Sequence, residues 1–157
     1  MPIFIFLHVL AMFTAVALAY GPAALMVMAS RRNDVRALRG ITATSERLGP
    51  LVGIMFALGI ILGVVAIFVH GFDPLQGWLV IAYVLVAISL FMTFAFTNPW
   101  LAKVTKAAAA SPDDKMSPEL DALVNSSRNR TLLGFDALLI VLLIADMVVK
   151  PLPDRIF

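Results

Sequence analysis

Two side chains near the amino terminus have the chemistry of metal ligands. His8 carries an imidazole and Met12, four residues later, carries a thioether. Residues at i and i+4 lie on the same stripe of an α-helix, so the two groups would be neighbours. Imidazole and thioether groups bind haem iron and soft copper ions. His8 and Met12 therefore form a candidate cofactor site, with haem b considered first and copper second.

The same two residues have a second interpretation, in which they serve packing alone. A single histidine one or two turns inside an apolar helix often makes a hydrogen bond to a neighbouring helix. Methionine is a common filler of apolar interiors because its thioether chain is flexible. Both interpretations of His8 and Met12 stay open at the level of sequence.

Two acids lie inside the last apolar stretch, where ionisable groups are costly and need a partner. Asp146 and Lys150 are spaced i, i+4 with the acid first, which is the favourable order for a helical ion pair. Asp136 lies nearer the other end of the stretch, within reach of Arg47 or Arg130. We expect both acids to be members of structural ion pairs.

Other chemistries find no support in the sequence. The chain has no cysteine, which excludes disulfides, iron–sulfur clusters and thiolate zinc sites. It also has no glycine-rich phosphate loop, no His-Glu-x-x-His and no nucleophilic serine motif. The formal net charge is only +2, and the basic residues avoid the apolar segments, so no nucleic-acid partner is indicated. We predict no catalytic residues and no separate metal site.

The elements that must position these residues are membrane-spanning helices. Of the 157 residues, 61% are hydrophobic, and the mean hydropathy is +0.96. Four stretches meet the requirement of roughly 20 apolar residues for crossing a bilayer, and lipid leaves helices as the only available structure for them. We place the spans near residues 3–28, 51–69, 78–96 and 131–149 of a single transmembrane domain, 1–157.

The distribution of positive charge predicts how these helices cross the membrane. Ten Lys and Arg residues fall in the connections 29–50 and 97–130, and only Lys150 and Arg155 fall on the opposite side. Since Lys and Arg concentrate in cytoplasmic connections, both long connections are predicted to be cytoplasmic. The result is an all-α, up-down-up-down four-helix bundle with both termini outside the cytoplasm. His8, Asp146 and Lys150 would then lie towards the same, outer face.

Local signals predict how the helices pack and where they end. Gly59 and Gly63 form a small-xxx-small pair, which lets two helix backbones approach closely. Asn98-Pro99 is predicted to end the third helix, since proline removes a backbone donor. Ser117 followed by Pro118 predicts a helix start, from which the fourth helix would run unbroken to the membrane's outer side.

Three short segments together carry a family resemblance. They are Phe6-Leu7-His8-Val9-Leu10, the inner-loop segment Glu46-Arg47-Leu48-Gly49, and the closing Met147-Val148-Val149-Lys150-Pro151. This combination resembles small bacterial four-helix proteins known as predicted integral membrane proteins of unknown function. The early histidine and the closing Val-Val-Lys-Pro are more distantly similar to HemJ-type membrane protoporphyrinogen oxidase, and the first helix to copper-resistance D-type membrane proteins.

The resemblance implies a multi-pass protein of the bacterial inner membrane. The distant similarity implies that His8 matches a haem-ligating histidine, whereas the oxidase also has a basic residue early in its third helix. Residues 78–96 contain no Lys or Arg, which argues against the oxidase activity. We therefore expect a non-catalytic accessory or structural subunit of a membrane assembly. Its expected partners are the lipid bilayer and either another membrane protein or further copies of itself. The alternative is a haem-binding membrane protein with His8 as an axial ligand.

Overall fold

The computed structural model describes residues 2–152, and these are almost entirely helical. The elements are α1 (Ile3–Arg31), α2 (Val35–His70), α3 (Gly77–Met92), a π-helical turn (Thr93–Thr97), α4 (Asn98–Ala110), α5 (Pro118–Asn125) and α6 (Ser127–Val149). Among the described residues, four helical segments are long and apolar enough to cross a membrane: Ile3–Arg31, Val35–His70, Gly77–Ala110 and Pro118–Val149. The predicted all-α membrane fold is confirmed.

The second helix starts much earlier than its apolar span. α2 has 36 residues and begins at Val35, so most of the stretch 29–50, expected as a connection, is helical. Asp34 caps this helix by accepting a hydrogen bond from the Ala37 amide, 2.9 Å away. At the other end, Gly71 adopts a left-handed conformation with φ of 69° and terminates α2 after His70.

The prediction that Asn98-Pro99 ends the third helix is wrong. The chain passes through the π-helical turn Thr93–Thr97 and continues as α4 to Ala110. In this turn the Asn98 amide donates to the Thr93 carbonyl, five residues back instead of four. A π-turn opens the backbone just before Pro99, which has no amide hydrogen and would otherwise clash with the preceding turn.

The predicted helix start at Ser117 and Pro118 is found in the structure. Ser117 Oγ accepts a hydrogen bond from the Leu120 amide at 3.2 Å, as an N-cap does. The helix is not unbroken, however, because α5 ends at Asn125 and α6 begins at Ser127. Ser126 between them has ψ of 137° and caps α6 through the Asn129 amide. A local serine cap at Ser126 thus interrupts the segment before its apolar part.

The described residues form two compact units. The first unit contains residues 2–71 and 104–124, and the second contains residues 72–103 and 125–152. In the first unit α1 packs along α2, and in the second unit α3 packs against α6. His8, Met12, Gly59 and Gly63 belong to the first unit, whereas Asp136, Asp146 and Lys150 belong to the second.

Candidate functional site

The imidazole of His8 contacts the backbone of α2. Its Nδ1 lies 2.7 Å from the carbonyl oxygen of Gly59, and the residue is half-buried. A carbonyl oxygen only accepts, so the contact requires that Nδ1 carries the hydrogen and donates it. His8 therefore ties the first membrane helix to the second through a backbone acceptor.

This contact depends on the two glycines of the small-xxx-small pair. A Cβ atom at Gly63 would lie 2.9 Å from His8 Nδ1 and 3.0 Å from Cε1, which is too close for real atoms. A Cβ atom at Gly59 would overlap the sulfur of Met12 and lie 2.8 Å from its Cγ. Gly59 and Gly63 thus leave the space that His8 and Met12 fill, and the structure combines two predicted sets of residues into one interface.

The geometry of His8 also bears on its chemistry as a ligand. When Nδ1 donates to a carbonyl, the imidazole is fixed as the tautomer whose Nε2 holds a lone pair. Histidines that bind metals usually have this arrangement, with the second ring nitrogen bonded to a carbonyl or carboxylate. Met12 faces the same helix as His8, so the two side chains cannot approach a haem plane from opposite sides. The fit to haem therefore concerns His8 Nε2 alone.

Asp146 and Lys150, the predicted outer ion pair, lie in different environments. Asp146 is buried, with 6% of its surface exposed, and among residues 2–152 neither carboxylate oxygen has a hydrogen-bond partner. α6 ends at Val149, and Lys150 takes a left-handed conformation with φ of 50°. The structure accordingly does not join Asp146 and Lys150 in a hydrogen-bonded pair.

Lys150 instead lies on an aromatic pair that the sequence did not indicate. Its Nζ is 4.8 Å from the ring centre of Phe72 and 5.0 Å from that of Trp78, within the range of a cation–π interaction. The two rings pack edge to face with centroids 5.6 Å apart. The Trp78 amide also donates to the Leu152 carbonyl at 3.2 Å. Together these contacts attach the end of α6 to the start of α3.

Asp136 occupies a buried position on α6. It shares one face of that helix with Leu139, Leu143 and Asp146. The partner expected for it, Arg47, lies on α2 in the other unit. The pairing of Asp136 with Arg47 or Arg130 remains a prediction.

A polar cluster in the first unit was not anticipated from sequence. Arg39 donates to three oxygens: Asp113 Oδ1 at 2.8 Å, the Ser111 carbonyl at 2.8 Å and the Ala108 carbonyl at 3.2 Å. Arg36 donates to the other oxygen of Asp113 at 2.9 Å. Hydrogen bonds from Arg39 and then Arg36 hold the pKa of Asp113 below its usual value. These contacts fix the connection between α4 and α5 to the first turns of α2.

The basic residues of α2 could not have been assigned to this cluster by spacing. They are separated from Asp113 by more than seventy positions, 77 for Arg36 and 74 for Arg39. From sequence, these arginines serve only to predict which connections are cytoplasmic, and their contacts with Asp113 are compatible with that prediction. Only the fold brings them to Asp113.

Comparison with known proteins gives the chain a family. No curated protein and no solved structure matches the sequence, and the distant similarity to haem and copper membrane proteins is not shown. A family model described as "Predicted integral membrane protein (DUF2269)" matches residues 2–151, which is nearly the whole chain. The chain is thus a multi-pass integral membrane protein and belongs to the DUF2269 family, whose function is unknown.

Proposed function

We propose that this protein is a non-catalytic structural subunit of an assembly in the bacterial inner membrane. The observation that supports the proposal most directly is the use of His8 and Met12 in helix packing. The imidazole bonds to the Gly59 carbonyl, and the thioether fills the space beside the same glycine. The two residues best suited to chemistry near the amino terminus therefore stabilise the contact between α1 and α2.

The surface of these helices supports the same proposal. The most apolar stretches of the four spans have only 11% to 22% of their residues buried within the chain. Phe13 on α1 and Phe68 on α2 are each 71% exposed. Such faces are suited to lipid or to the helices of another membrane protein or a second copy. A glycine-packed helix pair with large apolar outer faces fits a role in assembly.

Native mass measurement of the protein taken directly from membrane nanodiscs tests this role. We expect a complex of fixed stoichiometry, either with another protein or between copies. Phe13→Ala and Phe68→Ala provide matched variants on two helices, since both side chains are equally exposed. Loss of the complex in one variant would identify the face used. A single chain with lipid alone, in the wild type, would rule out the subunit role.

Haem binding is the second candidate, and one observation favours it. The hydrogen bond from His8 Nδ1 to the Gly59 carbonyl sets the Nε2 lone pair for a metal. His8 would be the axial ligand, and bound haem would supply redox or porphyrin chemistry. Met12 is assigned to packing in this proposal, because it faces the same helix as His8.

A visible absorption spectrum of the purified protein after haem addition distinguishes the two candidates. Haem binding through His8 predicts a Soret band that His8→Ala removes and His70→Ala, the matched change of the other histidine, leaves in place. The haem proposal fails if no band appears, and the ligand assignment fails if the band survives His8→Ala.

A further inference from the structure

A carboxyl group is enclosed in the membrane-spanning part of the second unit without a hydrogen-bond donor. Only 6% of the surface of Asp146 is exposed. Within residues 2–152, both of its side-chain oxygens lack a hydrogen-bond partner. Burying an ionised carboxylate without a counter-charge is strongly unfavourable, and such groups are rare in membrane helices unless they serve a function. A neutral, proton-carrying carboxyl group avoids this unfavourable state.

Lys150, the cation at the same end of α6, does not contact the Asp146 carboxyl group but lies over two aromatic rings. The Lys150 amide donates to the Asp146 carbonyl at 2.8 Å, so the two residues remain one turn apart. The Lys150 ammonium group lies over the rings of Phe72 and Trp78. A long, flexible lysine side chain can exchange one position for another by rotation about its own bonds. Lys150 thus has two sites within reach, the aromatic pair and the Asp146 carboxylate.

Few other charged groups face Asp146 within the second unit. α3, the helix that packs against α6, contains one titratable side chain, Tyr83, which is exposed. Asp136 is ten residues away along α6, about 15 Å at the rise of an α-helix. Asp73, in the turn before α3, accepts a hydrogen bond from the Leu75 amide. Lys150 is therefore the cation of this unit best placed to neutralise Asp146.

From this arrangement we infer that Asp146 is a proton-binding site within the membrane and that Lys150 is the counter-ion that replaces the proton. While the carboxyl group holds its proton, Lys150 rests on Phe72 and Trp78. When the O–H bond breaks, the proton passes to water at the membrane boundary and the carboxylate is left with the electron pair. The Lys150 ammonium group then leaves the rings and pairs with the carboxylate. No oxidant or further reactant is needed.

This inference is independent of the proposed structural role, since it concerns α3 and α6 and makes no use of the α1–α2 contact. It assigns a function to an acid that ion pairing was expected to neutralise. The charge count predicts that this end of α6 faces outward, so protons would exchange with the outer solution. The ligand is the proton itself.

Infrared spectroscopy of the full-length protein in lipid tests the site directly. We expect a C=O stretching band of a protonated carboxylic acid at neutral pH that shifts in heavy water. Asp146→Asn should remove the band and Asp136→Asn, the matched acid on the same face, should not. If Asp146→Asn does not fold, Asp146→Glu should still shift the band. A wild-type protein without the band, or a band that Asp146→Asn leaves unchanged, would overturn the inference.

Tryptophan fluorescence tests the movement of Lys150. In a Trp100→Phe background Trp78 is the remaining tryptophan, and its emission should change as the pH rises and the infrared band disappears. Lys150→Met should abolish the change in emission. In Lys150→Met the pH at which the infrared band disappears should rise by at least about one unit, a tenfold gain in proton affinity, because the counter-ion is missing. A Trp78 response that persists in Asp146→Asn would contradict the coupling.

Discussion

Two helix contacts differ in whether a polar side chain within them has a hydrogen-bond partner. One contact joins α1 and α2, and the other joins α3 and α6. At the first, the imidazole of His8 donates to the backbone carbonyl of Gly59. At the second, the carboxyl group of Asp146 is buried with no hydrogen-bond donor among the residues described. Both acceptor and donor groups are expensive to bury in lipid when unpaired. The first contact satisfies its polar group and the second does not.

The difference comes from glycine. Gly59 and Gly63 have no side chains to keep α1 at a distance, so the ring of His8 reaches a carbonyl that is already part of a helix. Carbonyl oxygens have two lone pairs and can accept a second hydrogen bond. The buried residues of α3 are three small ones and three large ones, with no pair of glycines four positions apart: Gly77, Ala82, Ser89, Trp78, Leu79 and Met92. A pair of glycines four residues apart on α2 lets a side chain of α1 reach a helix carbonyl, and α3 has no such pair.

The largest expected effect comes from adding a methyl group to the glycine face. Gly63→Ala should reduce the free energy of unfolding by about 1–3 kcal/mol, the usual cost of overpacking, because His8 cannot move without losing its hydrogen bond. Gly59→Ala should cost less, since the Met12 side chain is flexible. Denaturant titration in detergent micelles measures both.

The matched control for these variants is Gly53→Ala on the same helix, where an added Cβ meets no atom within 4 Å. It should be neutral or stabilise by up to about 1 kcal/mol, because alanine favours the helix over glycine. If Gly63→Ala behaved like Gly53→Ala, the close α1–α2 contact described above would be wrong.

A second effect is expected at the α3–α6 contact. Lys150→Met should cost about 1–2 kcal/mol, since cation–π interactions contribute about 0.5–2 kcal/mol each and the ammonium group lies over two rings. Hydrogen exchange of the Trp78 amide, which donates to Leu152, should become faster. Lys150→Arg keeps the charge and should keep the protection; equal loss in both variants would mean that the cation is not responsible.

A smaller effect is expected when the polar group of the α1–α2 contact is removed. His8→Phe retains a ring but loses the hydrogen bond to Gly59, and such interhelical bonds contribute about 0.6 kcal/mol on average and up to about 1.7 kcal/mol. The unfolding free energy should fall by about that amount. Val9→Ala changes the neighbouring residue, which is 55% exposed, and should have no comparable effect. A stabilised His8→Phe protein would show that packing, and not the hydrogen bond, holds α1.

The smallest effect is expected outside the membrane-spanning segments, at Asp113. Arg39 and Arg36 lower the pKa of this carboxyl group, so its ionised form stabilises the folded state. That contribution is present above the unfolded-state pKa of about 3.9 and is lost as the pH falls through the lower folded-state value. Because the cluster is largely exposed, the contribution is small.

Limited proteolysis of the connection between α4 and α5 provides the measurement for Asp113. Asp113→Asn should be cleaved faster than the wild type near neutral pH, and the difference should shrink under acid conditions. Asp114→Asn changes the adjacent exposed acid and is the control. A difference that grew as the pH fell would reverse the sign expected from the lowered pKa.

Local sequence signals predicted some helix boundaries and missed others. Ser117 and Pro118 predicted a helix start correctly, because a serine cap acts within three residues. Pro99 misled, because a π-turn several residues long absorbs a proline that would otherwise end a helix. The early start of α2 at Val35 was missed, since hydropathy marks the length within lipid and not the length of the helix.

Sequence alone determined that this is a helical membrane protein and which of its polar residues are candidates for a special role. Long apolar stretches require helices in lipid, since no other backbone arrangement available to this chain satisfies its hydrogen bonds there. The same rule singled out His8 and Asp146, because polar groups inside such stretches are costly. These conclusions need only composition and spacing along one chain.

Only the tertiary structure decided which partner each of these residues has. The carbonyl of Gly59 lies 51 positions from His8, and the rings beside Lys150 come from Phe72 and Trp78. Spacing favours Asp146 for that lysine, but in this structure its ammonium group lies over the two rings, and Lys150 itself adopts the left-handed conformation that ends α6. Partners distant in sequence are chosen by helix packing and by conformation at helix ends, and neither is encoded in a residue's nearest neighbours.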